Sequence, residues 1–214
     1  YFLRRGDVEA PIVFQVDRAR DGSSFSNRRI VAIQHGRQIF NMTASFQVRE
    51  SGLEHRVEMP DVPGPENFPD VTDVSEEELA ALPERVRFYV RQKRPFHVRR
   101  VIRAGERDGR HLEPIKLVWM KAVDRVPDDP ICHQTLLAYV SDYELLGTAT
   151  LPHGPTTIIR GELQMASLDH AMWFHREFRL KGRDNDPYYL CLGLVPIHCS
   201  WASAARLTAK KQDF

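Results

Sequence analysis

The stretch from Gln164 to Arg179, Q-M-A-S-L-D-H-A-M-W-F-H-R-E-F-R, constrains the fold of this chain more than any other. Between Met165 and Trp173 every residue is apolar or small except Ser167, Asp169 and His170. An apolar run of this length with aromatic content suits a strand covered on both faces. A carboxylate is ionised at neutral pH, and burying it without partners costs a large part of a domain's stability margin. Asp169 therefore either bonds local backbone amides at a strand edge or lines a wet cleft and does chemistry. The residues alone leave both readings open.

The rest of the chain reads as mixed α and β. Residues 12–48 form an antiparallel meander: a strand from Ile12 to Val16 closed by Asp21-Gly22, a second from Phe25 to Gln34, and a third from Ile39 to Val48. His35-Gly36 sits between the last two at hairpin spacing, where glycine tolerates positive φ. Residues 49–84 hold Pro60, Pro63, Pro65 and Pro69, the mark of an irregular connector. Within it, Ser75 and Glu78 have the spacing of a capping box that opens a short helix. Arg85 to Arg103 alternates, with Val86, Phe88 and Val90 on one side and Arg85, Arg87 and Arg91 on the other. Such a strand presents either a solvated basic face or a docking surface for phosphates, which arginine matches in geometry. Ile115 to Val123 is a further strand. Asp128-Asp129-Pro130 then predicts a helix start. That helix runs from Ile131 to Leu146, apolar nearly all round and so wrapped on most sides, with Gly147 as its C-cap.

Composition removes several function classes. With 30 basic and 29 acidic side chains in 214 residues, the net charge of +1 gives no nucleic-acid footprint. Cys132, Cys191 and Cys199 form no CxxC and no even framework, which favours a reduced intracellular setting over a secreted one. No apolar run of 18 or more occurs, so no span of a membrane is expected. The Asn41-Met42-Thr43 sequon carries little weight inside a cell. There is no G-x-S-x-G, G-x-G-x-x-G or G-x-x-x-x-G-K, which leaves serine-hydrolase, dinucleotide and P-loop readings unsupported. His133, His153, His170 and His175 suggest no metal site, because positions 170 and 175 fall on opposite faces of one strand.

Three collinear motifs carry a family resemblance. They are Y-F-L-R-R-G-D at 1–7, H-Q-T-L-L-A-Y-V-S-D-Y-E-L-L-G-T-A at 133–149 and A-S-L-D-H-A-M-W-F-H-R at 166–176. Together they resemble the type II acyl-CoA thioesterases, double-hotdog enzymes of bacterial cytoplasm and peroxisomes. The resemblance implies an α+β double hotdog, in which antiparallel sheets each wrap a central helix. It implies hydrolysis of fatty acyl-CoA to free acid and coenzyme A, with no cofactor, no metal and a possible homo-oligomer. The compartment it implies is the peroxisomal matrix in a eukaryote or the cytoplasm in a bacterium. Asp169 matches the family's catalytic aspartate by motif, as a base that takes a proton from attacking water. The basic stretch after Arg85 then becomes a candidate for coenzyme A phosphates.

Two other family positions are less well matched. Ser200 stands in a segment, with Trp201, Ala202 and Arg206, that loosely resembles the family's serine or threonine segment but lies several residues late. The family's Q-E-G motif is not found. The resemblance predicts a chain truncated at both ends, with an incomplete first hotdog and last strands missing or aberrant. It divides the chain into a partial first repeat (1–48), a linker (49–84), a second repeat (85–179) and an atypical tail (180–214). Residues from Leu180 onward are expected not to alternate as strands, leaving Leu190, Leu192, Leu194, Val195 and Ile197 with no place to pack. A chain so truncated should release little coenzyme A and should aggregate or need a partner. Two rival readings are a catalytically impaired fragment acting only as an interaction partner, and a hotdog enoyl-CoA hydratase, whose Asp and His set is not evident.

Overall fold

The computed structural model describes residues 1–53, 61–102, 112–153, 166–175, 177–180, 190–197 and 202–208, the last two by backbone alone, as are Arg85 and Tyr89. The chain divides into two compact units, Tyr1–Glu58 with Ser167–Asp169, and Met59–Ala166 with His170–Phe214.

The first unit is a three-stranded antiparallel sheet of β1 (Val13–Asp21), β2 (Phe25–Gln34) and β3 (Arg37–Gln47), in that spatial order. Gly22 turns the chain between β1 and β2, and a Cβ there would stand 2.9 Å from the Phe25 carbonyl oxygen. The expected hairpin at His35-Gly36 is present with φ of 48° and 69°, the double positive φ that matches the twist of the flanking strands. Register places Phe14, Ala32 and Phe40 across from one another, and likewise Val16, Ile30 and Met42. This face stays largely open, and Phe14 is 61 % exposed. At the sheet's end Gln34 is buried. Its side-chain amide donates to the Asp7 and Ala10 carbonyls at 2.8 and 2.7 Å and accepts from the Asp7 amide at 2.9 Å, which pins that loop.

The second unit is built on a four-stranded antiparallel sheet, β4 (Phe96–Arg100), β5 (Lys116–Ala122), β6 (Leu190–Ile197) and β7 (Ala202–Thr208), paired in chain order. Period-two alternation puts Phe96, Val98, Val118 and Met120 on one face, where Leu137, Val140, Leu145 and Leu180 complete a buried cluster. Behind the sheet Trp119 packs with Val62 and Val101, and its indole N–H donates to the Pro63 carbonyl at 2.9 Å. The proline-rich connector thus supplies the rear cover of this sheet. Helix α1 (Glu76–Ala81) opens with the expected capping box: Ser75 Oγ accepts from the Glu78 amide at 3.2 Å, and Glu78 accepts from the Ser75 amide at 3.0 Å. Helix α3 (Pro130–Val140) starts as expected, with the Asp129 carboxylate accepting from the Ile131 amide at 2.9 Å.

Five expectations need correction. Glu84–Arg91 is a helix, α2, and the strand begins only at Phe96. Pro83 presets a helical start, and Val86 and Val90, four apart, both turn half-inward while Phe88 is exposed. The helix from 131 to 146 is broken: α3 ends at Val140, Glu144 adopts φ 67°, and α4 (Leu145–Ala149) contains Gly147 within it instead of ending there. Nor is α3 wrapped on most sides, since Ile131 and Tyr139 are 68 % and 53 % exposed, and the sheet covers one face. Residues 166–175 form no strand beyond a single bridge at Ala171, and among the described residues their bonds go to scattered partners.

The chain after Leu180 does form strands. Leu190–Ile197 pairs with β5, Met120 opposite Leu190 and Lys116 opposite Leu194, and Ala202–Thr208 pairs with β6. The open edge of β5 needs partners for its N–H and C=O groups, and these residues supply them.

Candidate active site

Asp169 lies half-buried in the first unit. The segment Tyr1–Leu3 runs beside β3, with the Leu3 amide donating to the Ile39 carbonyl at 2.8 Å and the Asn41 amide to the Tyr1 carbonyl at 3.1 Å. From that segment the Phe2 amide donates to the Leu168 carbonyl at 2.9 Å. The peptide just before Asp169 is thereby tied to the sheet. Among the described residues, none hydrogen-bonds or ion-pairs with the Asp169 carboxylate.

Asp21 and Asp70 differ from it in this. Asp21 pairs with Arg18 and Arg28. Asp70 accepts from the amides of Thr72 and Val98 and from the Thr72 hydroxyl, and its other contact is His97 Nδ1 at 3.2 Å. Burial raises the Asp70 carboxyl, but these bonds outweigh it and leave the net shift downward. A shallow groove on the β1–β2 surface, lined by Gln15, Arg29, Val31 and Gln38 among others, does not include Asp169.

The other candidate, Ser200, lies outside the described residues, as do Gln164, Met165 and Arg176. His170, next in the chain after Asp169, places Nε2 at 3.3 Å from the Oγ of Ser141. His133 is fully buried on α3, and its Nδ1 accepts from the Leu180 amide at 3.1 Å, which puts the proton of a neutral ring on Nε2. His153 and His175 are exposed. Among the described residues no group of three His, Cys, Asp or Glu side chains gathers in a way that could hold a metal ion.

The basic stretch is largely engaged within the protein. Arg99 donates to the Pro65 carbonyl at 3.0 Å, Arg91 stands 3.7 Å from Glu76, and Arg100 pairs with Glu144 at 2.7 Å. Glu144 was not legible as a site in the sequence. Its side chain is 10 % exposed, and Lys116, which is buried, meets its second oxygen at 3.0 Å. Burial would raise the Glu144 carboxyl, but Arg100 and Lys116 outweigh it and hold it at about 2. The signal that could have found this cluster is opposite charge inside two apolar runs: Lys116, with Lys121, in Ile115–Val123 and Glu144, with Asp142, in Ile131–Leu146.

Comparison with known proteins gives this arrangement its family. An acyl-CoA thioesterase family model matches residues 86–184, and one for the acyl-CoA thioesterase N-terminal domain matches residues 1–47. Acyl-CoA thioesterase 2 of Haemophilus influenzae is 38% identical over 180 residues, 84% of this chain and 63% of that protein. Acyl-coenzyme A thioesterase 8 of Homo sapiens is 37% identical over 187 residues, 84% of this chain and 58% of that protein. The crystal structure of an acyl-CoA thioesterase II, TesB2, from Mycobacterium marinum superposes with a TM-score of 0.68 at 38% identity, covering 92% of this chain and 65% of that one. The tesB protein of Mycobacterium avium subs. paratuberculosis follows with 0.64 at 26% identity, covering 94% and 65%.

The chain belongs to the acyl-CoA thioesterase family, and its antiparallel sheets and central helix are the α+β hotdog architecture. It spans about three-fifths of the length of the curated relatives it matches. No helix among the described residues is long and apolar enough to cross a membrane.

Proposed function

We propose that this chain serves the hydrolysis of fatty acyl-CoA to free acid and coenzyme A, with Asp169 as the base that activates water. The observation that carries the reading is a half-buried carboxylate, placed by a backbone bond at Leu168 yet with no described partner holding its charge, inside the motif shared with the family. In this reaction the water oxygen bonds to the thioester carbonyl carbon while Asp169 takes a water proton. The tetrahedral oxyanion then collapses, the C–S bond breaks, and coenzyme A leaves as a thiolate that is reprotonated. Positioned general bases contribute roughly 10²–10⁴-fold to such steps. Relatives of this chain are named as acyl-CoA thioesterases, and a distant one in Saccharomyces cerevisiae, 28% identical over 87 residues, is named as peroxisomal. In this reading residues 1–48 are a partial first hotdog repeat, 49–84 a linker and 85–179 the second repeat, whose sheet β6 and β7 of the tail extend; the compartment is the peroxisomal matrix or bacterial cytoplasm, and the open apolar face of β1–β3 favours self-association.

The test is coenzyme A release from palmitoyl-CoA, followed with a thiol reagent, for an intact homologue carrying this motif and for its variant with asparagine at the aspartate that matches Asp169; the 214-residue chain itself should release little. We expect kcat to fall by roughly 10²-fold or more with a smaller change in KM, as for a group acting mainly in the transition state. A variant with near-full turnover removes Asp169 from the mechanism.

A further inference from the structure

We infer that Glu144 is a charge-held hinge: Arg100 and Lys116 grip its carboxylate and so keep one apolar helix split into α3 and α4. Residue 144 has φ 67° and ψ −10°, in the left-handed region. Glycine enters that region freely, whereas for glutamate it is a strained conformation that persists only where surrounding groups fix it. The segment Ser141-Asp142-Tyr143-Glu144 holds neither glycine nor proline, the residues that usually break a helix. The apolar pattern from Ile131 to Leu146 runs on through it. What fixes the break lies outside the helix.

Arg100, at the end of β4, meets one carboxylate oxygen at 2.7 Å, and Lys116, at the start of β5, meets the other at 3.0 Å. Lys116 is buried and Glu144 nearly so, which makes either charge costly to leave without the other. Tied by both oxygens to two different strands, the carboxylate fixes the backbone that carries it. The Glu144 carbonyl then opens α4: it accepts from the Thr148 amide at 3.0 Å and from the Thr148 hydroxyl at 2.9 Å. Gly147 fits the same account. It lies within α4, where helix propensity disfavours it, and a Cβ there would stand 3.0 Å from Lys116 Nζ. The missing side chain leaves room for the lysine that grips Glu144. Breaking the grip removes the reason for the left-handed turn. Leu145, Leu146 and Gly147 head α4 without the partners of a helix interior, and their amides then find the carbonyls of Ser141, Asp142 and Tyr143 four residues back. Helix α4 packs against β6, so joining the helices also changes what lies over that strand.

The test measures backbone Cα chemical shifts and amide exchange in the 214-residue chain, as wild type, Lys116→Met/Glu144→Leu, Glu144→Gln and Asp142→Ala. The double variant replaces the pair with apolar side chains of similar length and leaves only Arg100, which is exposed, without its carboxylate. Residue 144 should move to a helical Cα shift, and exchange at Leu145 and Leu146 should slow about tenfold as their amides gain partners. Exchange at Leu137, inside α3, should not change. Glutamine keeps the shape without the charge, so in Glu144→Gln the Cα shift of residue 144 should move part of the way towards the helical value. Asp142→Ala removes an exposed charge beside the hinge but outside the grip, and should match wild type in both readouts. A left-handed residue 144 in the folded double variant overturns the inference. So does a wild-type shift in Glu144→Gln, which decides the matter if the double variant does not fold. Straightening in Asp142→Ala also overturns it, because the break would then be set locally.

Discussion

The two sheets of this chain are made alike and finish differently. Both are antiparallel, both alternate apolar with polar side chains, and both are joined by short local chemistry that the sequence announces. Yet Val98 and Val118 are fully buried beneath α3, while Phe14 and Val16 on β1 remain more than half exposed. The same contrast holds for charge. Asp21 and Glu144 each meet two basic side chains, but Asp21 does so in solvent and Glu144 in the interior of the second unit. Register and turns suffice to make a sheet; whether a side chain then matters to stability depends on what covers it.

The sharpest way to break this comparison is to delete the two carboxylates. Glu144→Ala leaves Lys116 buried and unpaired, and such losses cost about 3–5 kcal/mol, read as a shift in the urea midpoint. Asp21→Ala, by contrast, should leave the midpoint within the scatter of replicates. Next in size is the apolar pair. Met120→Ala should cost about 2–5 kcal/mol because a cavity opens in a packed cluster, whereas Phe14→Ala on the open face should cost under about 1 kcal/mol. Equal losses at both positions would mean that the face of β1–β3 is covered in solution.

A titration sharpens the charge half of the comparison. Glu144 sits at about 2 in the fold against an ordinary 4.5, so its stabilising contribution is complete above about 4.5 and is lost as pH falls from there towards about 2. Melting followed from pH 6 to pH 2 should show that decline in the wild type and a flatter one in Glu144→Gln. The smallest effect is at the helix cap, where Ser75→Ala should lower stability by about 1 kcal/mol in a thermal melt.

Legibility followed the range of the forces involved. The His35-Gly36 turn, the Ser75 capping box and the Asp129-Pro130 helix start were readable because each is decided by residues within four positions of one another. Val86, Phe88 and Val90 fit a strand on one side and, through Val86 and Val90, a helix stripe; Pro83 and the partners of α2 decided for the helix. The break at Glu144 could not be seen locally, because Arg100 and Lys116 that hold it come from β4 and β5. Leu190–Ile197 is the same case, since its strand character depends on the vacant edge of β5. Of the site, Asp169 was singled out by its charge in an apolar run, but Ser141 looked like one more polar residue at a helix end. Its hydroxyl meets a histidine 29 positions away.

The backbone bond between Phe2 and Leu168 also sets an order of events during synthesis. The hairpins of β1–β3 can close within microseconds of leaving the ribosome, since their partners are near neighbours in the chain. The strand-like segment at Tyr1–Leu3 must wait for its second partner. At about 5–20 residues per second, the 166 positions separating Phe2 from Leu168 take on the order of 8–33 s to make. Until then the edge at Phe2 is an unpaired ledge of N–H and C=O groups, open to any other extended chain nearby. The placement of Asp169 is therefore among the last features of the first unit to form.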